Sequence, residues 1–221
     1  MYEVKELFDG VFLIDGKVAT MNLIRGRKVY NETLVDIQGI EYRLWNPYRS
    51  KLAAAIMNGL KTFAIRKGSS VLYLGASTGT TSSHVSDIVG TDGRVYAVEI
   101  SERSMRDLID VCEIRHNMLP ILEDASYPER YAEVVKECDV IYQDVSARNQ
   151  AEILKKNSRF LKKEGIAYFA IKSQSIDVSK HPEKVFKETL ESISDVFEVV
   201  ERINLEPYDS MHLFAVLKKI V

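Results

Sequence analysis

Five apolar runs in this chain each lead to residues that can bind or react. VLYLG passes into ASTGTT, so that LYLGASTGTT fills residues 72–81 with Gly75 and Gly79 four apart and Thr80-Thr81 behind them. RVYAVE ends in Glu99, MLPIL leads to Asp124, CDVIYQD ends in Asp144 and GIAYFAIK ends in Lys172. A glycine loop between strand and helix lets the backbone pass close to a ligand. The free N–H groups at the helix start suit a carboxylate as well as a phosphate. A Glu at the next strand end can accept hydrogen bonds from both hydroxyls of a ribose. Asp124 can sit by a base edge with the Ala125 N–H beside it. The dinucleotide template GxGxxG fails, because Ser77 and Thr80 hold its second and third glycine positions, and no Gly-Lys-Ser/Thr completes a P-loop. These groups fit a nucleoside with a small carboxylate-bearing tail and no pyrophosphate, which describes S-adenosylmethionine. A nicotinamide oxidoreductase lacks its phosphate loop here. Taken singly, Glu99 or Asp124 reads as a cap or a surface acid. Suitable groups at three successive strand ends favour a ligand site.

The elements that position these residues follow from hydrophobic patterning. From residue 70 the apolar runs alternate with helical stretches at TTSSHVSDIV, SMRDLIDVCEI, PERYAEVVKE and NQAEILKKNSRFLKK. This rhythm predicts an α/β fold, a doubly wound, mostly parallel sheet with helices on both faces. A helix near 181–195 and two strands, FEVVERINL and HLFAVLK, bring the sheet to seven strands. Residues 1–45 form a small β-rich unit. VFLIDGKVATMNL carries an Asp15-Gly16 hairpin turn, and a second strand pair follows around TLVDI and IEYRLW. Asn46-Pro47 is expected to open a long helix over 47–66, with Leu52, Ile56, Leu60 and Phe63 on one face and Gly68 at its end. The expected domains are therefore 1–45 and 46–221.

Composition narrows the function classes. Hydrophobic residues make up 46% and charged residues 28% of 221, a globular balance. The net charge of −2 argues against a generally basic nucleic-acid binder. Residues 1–68 carry 11 Lys and Arg against 7 acids, and the remainder 19 against 25; the N-terminal third is thus either a solvated mixed surface, which charge alone favours, or a local basic surface that meets phosphates. No apolar run approaches the roughly 20 residues that cross a bilayer, and no signal-peptide pattern opens the chain. Cys112 and Cys138 lack metal-ligand spacing, and the four histidines are scattered. The expectation is a cytoplasmic protein with buried thiols and no metal.

The segments WNPYRSKLAAAI, LYLGASTGTTSSHVSDI, VIYQDVSARNQAEIL, AIKSQSIDV and EPYDSMH resemble fibrillarin in its short archaeal form. The likeness runs from about residue 8 to the C-terminus. It implies a Rossmann-like, S-adenosylmethionine-dependent methyltransferase fold behind a small N-terminal β domain. It implies 2′-O-methylation of ribose in rRNA and tRNA. The partners implied are a C/D box guide RNA, a Nop-domain scaffold protein and a kink-turn-binding protein. The family's tetrad Lys-Asp-Lys-His falls on Lys51, Asp144, Lys172 and His212. Lys172 is then the expected base or 2′-oxygen stabiliser, with Asp144 orienting it and Lys51 and His212 positioning the ribose and its phosphates. The expected donor-binding residues are Gly75, Ala76, Thr80, Thr81, Glu99, Ile100, Asp124, Ala125, Asp144, Val145, Ser146 and Ala147. Tyr73 stands where many methyltransferases carry an acid, a departure fibrillarins share. Trp45 and Tyr48 either stack on RNA bases or pack the first helix against the sheet. Two other readings stay open: a methyltransferase for a small molecule or a protein carboxylate, and a donor-binding subunit without catalysis.

Overall fold

Tight hairpin turns set the first sheet. In the computed structural model, which describes residues 2–221, strands β1 (Val4–Phe8), β2 (Val11–Ile14), β3 (Lys17–Met21), β4 (Leu34–Ile37) and β5 (Ile40–Leu44) pair antiparallel in the order β1-β2-β3-β5-β4. The Asp15-Gly16 turn has positive φ at both residues, 47° and 76°, as a two-residue hairpin requires. Gln38-Gly39 joins β4 to β5 in the same way, with φ of 53° and 85°.

The helix that follows is shorter than its apolar spacing predicts. Helix α1 covers Lys51–Met57 only, capped by Ser50, whose Oγ accepts from the Ala53 N–H at 3.3 Å. Asn46-Pro47 forms a turn before it, with Asn46 Oδ1 accepting from the Tyr48 N–H. Asn58 ends the helix, its amide donating to the carbonyls of Asn204 and Glu206, and Gly59 at φ 90° turns the chain away. Residues 60–66 are irregular, yet their apolar side chains still face the core. Phe63 stacks on Phe8 at 4.8 Å, and the Ala64 N–H donates to the Tyr168 hydroxyl at 2.6 Å. A spacing of four therefore reported burial there without helix.

The larger sheet comprises β6 (Ser70–Leu74), β7 (Arg94–Glu99), β8 (Met118–Leu122), β9 (Cys138–Gln143), β10 (Leu161–Lys172), β11 (Phe197–Asn204) and β12 (His212–Lys219), in the order β11-β12-β10-β9-β6-β7-β8. Strands β6 to β10 run parallel, and β12 runs antiparallel between β10 and β11. Helices α2 (Thr80–Val89), α3 (Glu102–Ile114), α4 (Gln150–Asn157), α5 (Ser173–Ile176) and α6 (Pro182–Glu191) connect them. The chain winds outward from β6 to β8 and then returns to β9 beside β6. That reversal leaves a crevice at the carboxyl ends of the strands, where such sheets bind ligands. Two expected helices are cut short. Residues 128–137 hold only a 3₁₀ turn, Pro128–Tyr131, because the buried Tyr131 hydroxyl is tied to Asn157 Oδ1 at 2.6 Å and the chain must extend at Cys138. Helix α4 stops at Asn157, because Leu161 is drawn into β10 beside Cys138.

A buried polar network fixes the small sheet to α2. The Arg43 guanidinium, fully buried, donates to Glu32 at 2.7 Å, to Asp87 at 2.8 Å and to Ser83 Oγ at 2.9 Å. Arg115 reaches the other oxygen of Asp87 at 2.6 Å. His84 lies beside them, stacked on Trp45 at 4.6 Å. Its Nδ1 meets the Thr20 hydroxyl at 2.8 Å and its Nε2 meets the Tyr30 hydroxyl at 2.7 Å. Burial, then the charges of Arg43 and Arg115, hold its pKa well below the usual imidazole value. One assignment satisfies every group: Nδ1–H donates to Thr20, Thr20 donates to Asp87, and Tyr30 donates to Nε2.

Candidate active site at the carboxyl ends of the sheet

A cavity of about 440 Å³ opens at the ends of β6 to β9. Gly75, Glu99, Ile100, Asp124 and Ala125 line it from three strand ends, and Asp144, Val145, Ser146 and Ala147 line it from the fourth. Ser77, Asn149 and Ile153 also border it, and pattern alone did not single them out. A cleft of similar size, about 480 Å³, lies between the small sheet and residues 45–49. Its one carboxylate, Glu32, is already engaged by Arg43 and by the N–H groups of Val29 and Tyr30. The strand-end cavity is the one with acceptors to spare. Trp45 is buried, whereas Tyr48 is 68% exposed with its ring edge-on to Tyr208 at 5.1 Å.

The glycine loop works differently from its sequence reading. Gly75 has φ 85°, and a Cβ there would overlap the Asp144 carbonyl oxygen and lie 2.9 Å from its carbon. Gly75 is thus required by the close approach of the neighbouring strand end, not by a ligand alone. Gly79 has φ 91°, and a Cβ there would press on Leu108 and Val111 of α3 at 3.3 Å. Ala76, Thr80 and Thr81 do not line the cavity. The Ala76 N–H donates to the Val98 carbonyl at 3.0 Å, and the Thr81 hydroxyl donates to Ser50 Oγ at 2.9 Å. The first helical bond of α2 is from the Ser83 N–H to the Gly79 carbonyl, so the preceding N–H groups of its first turn have no helical partner.

Glu99 serves the loop and keeps capacity for a ligand. Its Oε2 accepts from the Ser77 N–H at 2.7 Å and its Oε1 from the Ser101 N–H at 2.8 Å. Each oxygen retains a second lone pair. Asp124 Oδ1 accepts from the Ser126 N–H at 2.8 Å, closing a tight turn at the cavity rim. Ile100, 64% exposed, offers an apolar surface beside them. Ribose acceptors and an apolar face in one cavity fit S-adenosylmethionine.

Strand periodicity brings the reactive side chains to one face. Tyr142 and Asp144, Ala170 and Lys172, and Phe214 and His212 are pairs two residues apart on or just beyond the adjacent strands β9, β10 and β12. Tyr142, Ala170 and Phe214 share one core with α1, so the outer members of the pairs emerge on the side that α1 covers. Lys51 enters from the first residue of α1, and its Nζ lies 2.8 Å from Asp144 Oδ2. Lys172 and His212 are direct partners in the β10–β12 ladder. One expectation is corrected. Asp144 pairs with Lys51, not Lys172, and among the described residues Lys172 has no carboxylate within 4 Å. Register is the reason. Phe169 lies opposite Gln143, so Lys172 reaches two residues, roughly 6–7 Å, past the level of Asp144. Asp209 was not singled out from sequence, yet its Oδ2 lies 3.8 Å from Lys51 Nζ and its Oδ1 2.8 Å from His212 Nδ1. Its signal was its place in EPYDSMH, three residues before the histidine. Beneath this cluster Tyr73 stacks on Tyr142 at 4.4 Å, and burial raises both hydroxyls well above the usual phenol range. The position of the common methyltransferase acid is here part of the core.

Comparison with known proteins places this geometry. The fibrillarin family model matches residues 2–220. The chain belongs to the fibrillarin family. A fibrillarin-like rRNA/tRNA 2′-O-methyltransferase from Pyrococcus furiosus is 51% identical over 99% of this chain and 100% of that protein. The crystal structure of Aeropyrum pernix fibrillarin with natively bound S-adenosyl-L-methionine superposes with a TM-score of 0.88, at 41% identity over 98% of this chain and 100% of that one. Fibrillarin from a fibrillarin/Nop5p complex gives 0.91, at 40% identity and the same coverage. The seven-stranded sheet and the antiparallel sheet before it are the fibrillarin architecture.

Proposed function

We propose that this chain transfers a methyl group from S-adenosylmethionine to a ribose 2′-hydroxyl in rRNA and tRNA, within a ribonucleoprotein. Asp144 carries the reading: its strand end lines the donor cavity while its carboxylate holds Lys51 at 2.8 Å. Donor pocket and reactive cluster thus meet at one residue. S-adenosylmethionine, when bound, supplies a methyl on a sulfonium; transfer forms an O–C bond, leaves the C–S pair on sulfur and frees the hydroxyl proton. Glu99, Asp124 and the strand end at Asp144–Ala147 hold the donor. Lys51, neutralised by Asp144, and His212 position the ribose and its phosphates. Lys172, free of carboxylates, stabilises the 2′-oxygen as an ammonium or takes its proton as an amine. In-line orientation contributes up to about 7–11 kcal/mol, and a positioned proton acceptor adds about 10²–10⁴-fold.

A Nop-domain protein is the scaffold partner in this reading, supported by the likeness to the Nop5p-bound fibrillarin. The C/D box guide RNA and the kink-turn-binding protein complete it. A net charge of −2 supports dependence on such partners for RNA affinity. The test is transfer of labelled methyl to a guide-matched RNA in the reconstituted particle. Label should appear on the single targeted 2′-oxygen and vanish with Lys172→Ala. Label retained in that variant would remove Lys172 from its role. A wild type that binds donor but transfers nothing would overturn the activity.

A further inference from the structure

We propose that Asp209 is a positioning residue, holding His212 with its Nε2 lone pair open to the 2′-hydroxyl and bracing Lys51 with its second oxygen. The inference rests on the function proposed above and assigns a role no member of the tetrad supplies.

The geometry of His212 decides its tautomer. Nδ1 makes its hydrogen bond to the Ser210 carbonyl oxygen at 2.8 Å, and Asp209 Oδ1 lies beside the same nitrogen at 2.8 Å. A carboxylate and a carbonyl can only accept, so the neutral ring carries its proton on Nδ1. Nε2 is then an acceptor, and among the described residues it meets no hydrogen-bond partner. The side chain is nine-tenths buried and sits opposite Lys172 in the ladder. The segment that carries Asp209 is itself tied to the end of β10. The Ser173 hydroxyl and N–H both donate to the Met211 carbonyl, at 3.0 and 3.3 Å.

The other carboxylate oxygen faces Lys51 at 3.8 Å, and Lys51 holds Asp144 at 2.8 Å. A line Asp144–Lys51–Asp209–His212 thus runs from the donor cavity to the imidazole, its first three members alternating in sign. Lys172 stands outside it, with no carboxylate within 4 Å among the described residues. The two roles open to Lys172 separate on this basis. His212 Nε2 accepts the hydroxyl proton and passes it to solvent, while the Lys172 ammonium stabilises the 2′-oxygen. The proton lost from oxygen is the one gained by Nε2, so the transfer balances without a further reactant.

Asp209→Asn keeps the shape but adds an N–H₂ that can donate to Nδ1 and favour the other tautomer, as the equivalent change does in serine proteases. The first readout needs no activity. The chain has four histidines, so ¹⁵N-histidine labelling of the full-length protein gives four ring systems, and His212→Gln assigns the one in question. The wild type should show the Nδ1–H form, and Asp209→Asn should raise the Nε2–H fraction. In the reconstituted particle, Asp209→Asn should lower kcat by about 10²-fold with KM for RNA little changed, and Asp209→Glu should recover part of it. A wild-type Nε2–H form, or an Asn variant with unaltered spectrum and rate, overturns the proposal. A wild type with the expected tautomer and no methyl transfer overturns the function and leaves the Asp209–His212 pair standing.

Discussion

Gly75 shows how one residue couples binding to framework. Its absent side chain admits the Asp144 carbonyl, and that contact sets the level at which the Asp144 carboxylate meets Lys51. Gly75→Ala must place a Cβ on a backbone at φ 85° and against a neighbouring backbone oxygen. A loss of roughly 2 kcal/mol or more is expected from the two strains together. Urea denaturation measures it, and calorimetry should show weakened S-adenosylmethionine binding. Wild-type stability in the alanine variant would mean the two strand ends can move apart freely. The cysteines are at the opposite extreme. Burial pushes Cys112 up to about 12 and Cys138 up to about 11, so neither is a thiolate nucleophile at neutral pH.

At the scale of elements, the start of α1 matters most, because it delivers Lys51. Ser50 caps that helix and receives the Thr81 hydroxyl from the first turn of α2. The Thr81 hydroxyl thus supports the helix start that carries Lys51. Thr81→Val should cost about 1 kcal/mol, the usual worth of one buried hydrogen bond, and lower kcat. Donor affinity should hold, because the Thr81 hydroxyl is engaged by Ser50. Calorimetry with S-adenosylmethionine beside single-turnover methyl transfer separates the two. A variant that loses donor binding and keeps its rate would return Thr81 to the cofactor set.

The molecule as a whole depends on the network joining its two sheets. Arg43 answers both Glu32 and Asp87 in a fully buried setting. Arg43→Leu leaves buried carboxylates underpaired and should cost about 3–5 kcal/mol, read as a lowered thermal midpoint. The same network predicts a pH dependence. His84 stays neutral when folded, because its pKa is well below the ordinary value, but it binds a proton near pH 6.5 when unfolded. The unfolded state then holds more protons below that pH, so stability falls as pH drops from about 6.5 toward the folded pKa. The slope contributed approaches about 1.4 kcal/mol per pH unit. His84→Gln should flatten the dependence between pH 6.5 and 5, followed by the fluorescence of the single tryptophan, Trp45. An unchanged slope would mean His84 titrates alike in both states.

Much of this was already present in the order of residues. Apolar runs marked the strands, the Asp15-Gly16 turn marked the first hairpin, and the runs ending near Glu99, Asp124, Asp144 and Lys172 marked where chemistry would gather. These are local properties, and a parallel sheet places successive strand ends on one edge whatever the intervening detail. Segments 58–66 and 132–137 misled because apolar spacing reports burial, whereas a helix also needs its backbone bonds; the N–H groups of Lys61 and Thr62 go instead to Glu201 and that of Ala64 to the Tyr168 hydroxyl. Only the tertiary structure decided that Lys51 answers Asp144, 93 residues away, that Lys172 stands alone and that Asp209 joins Lys51 to His212. Those pairings depend on strand register and on where α1 seats. Both are settled by packing across the sheet, which no short stretch of the chain encodes by itself.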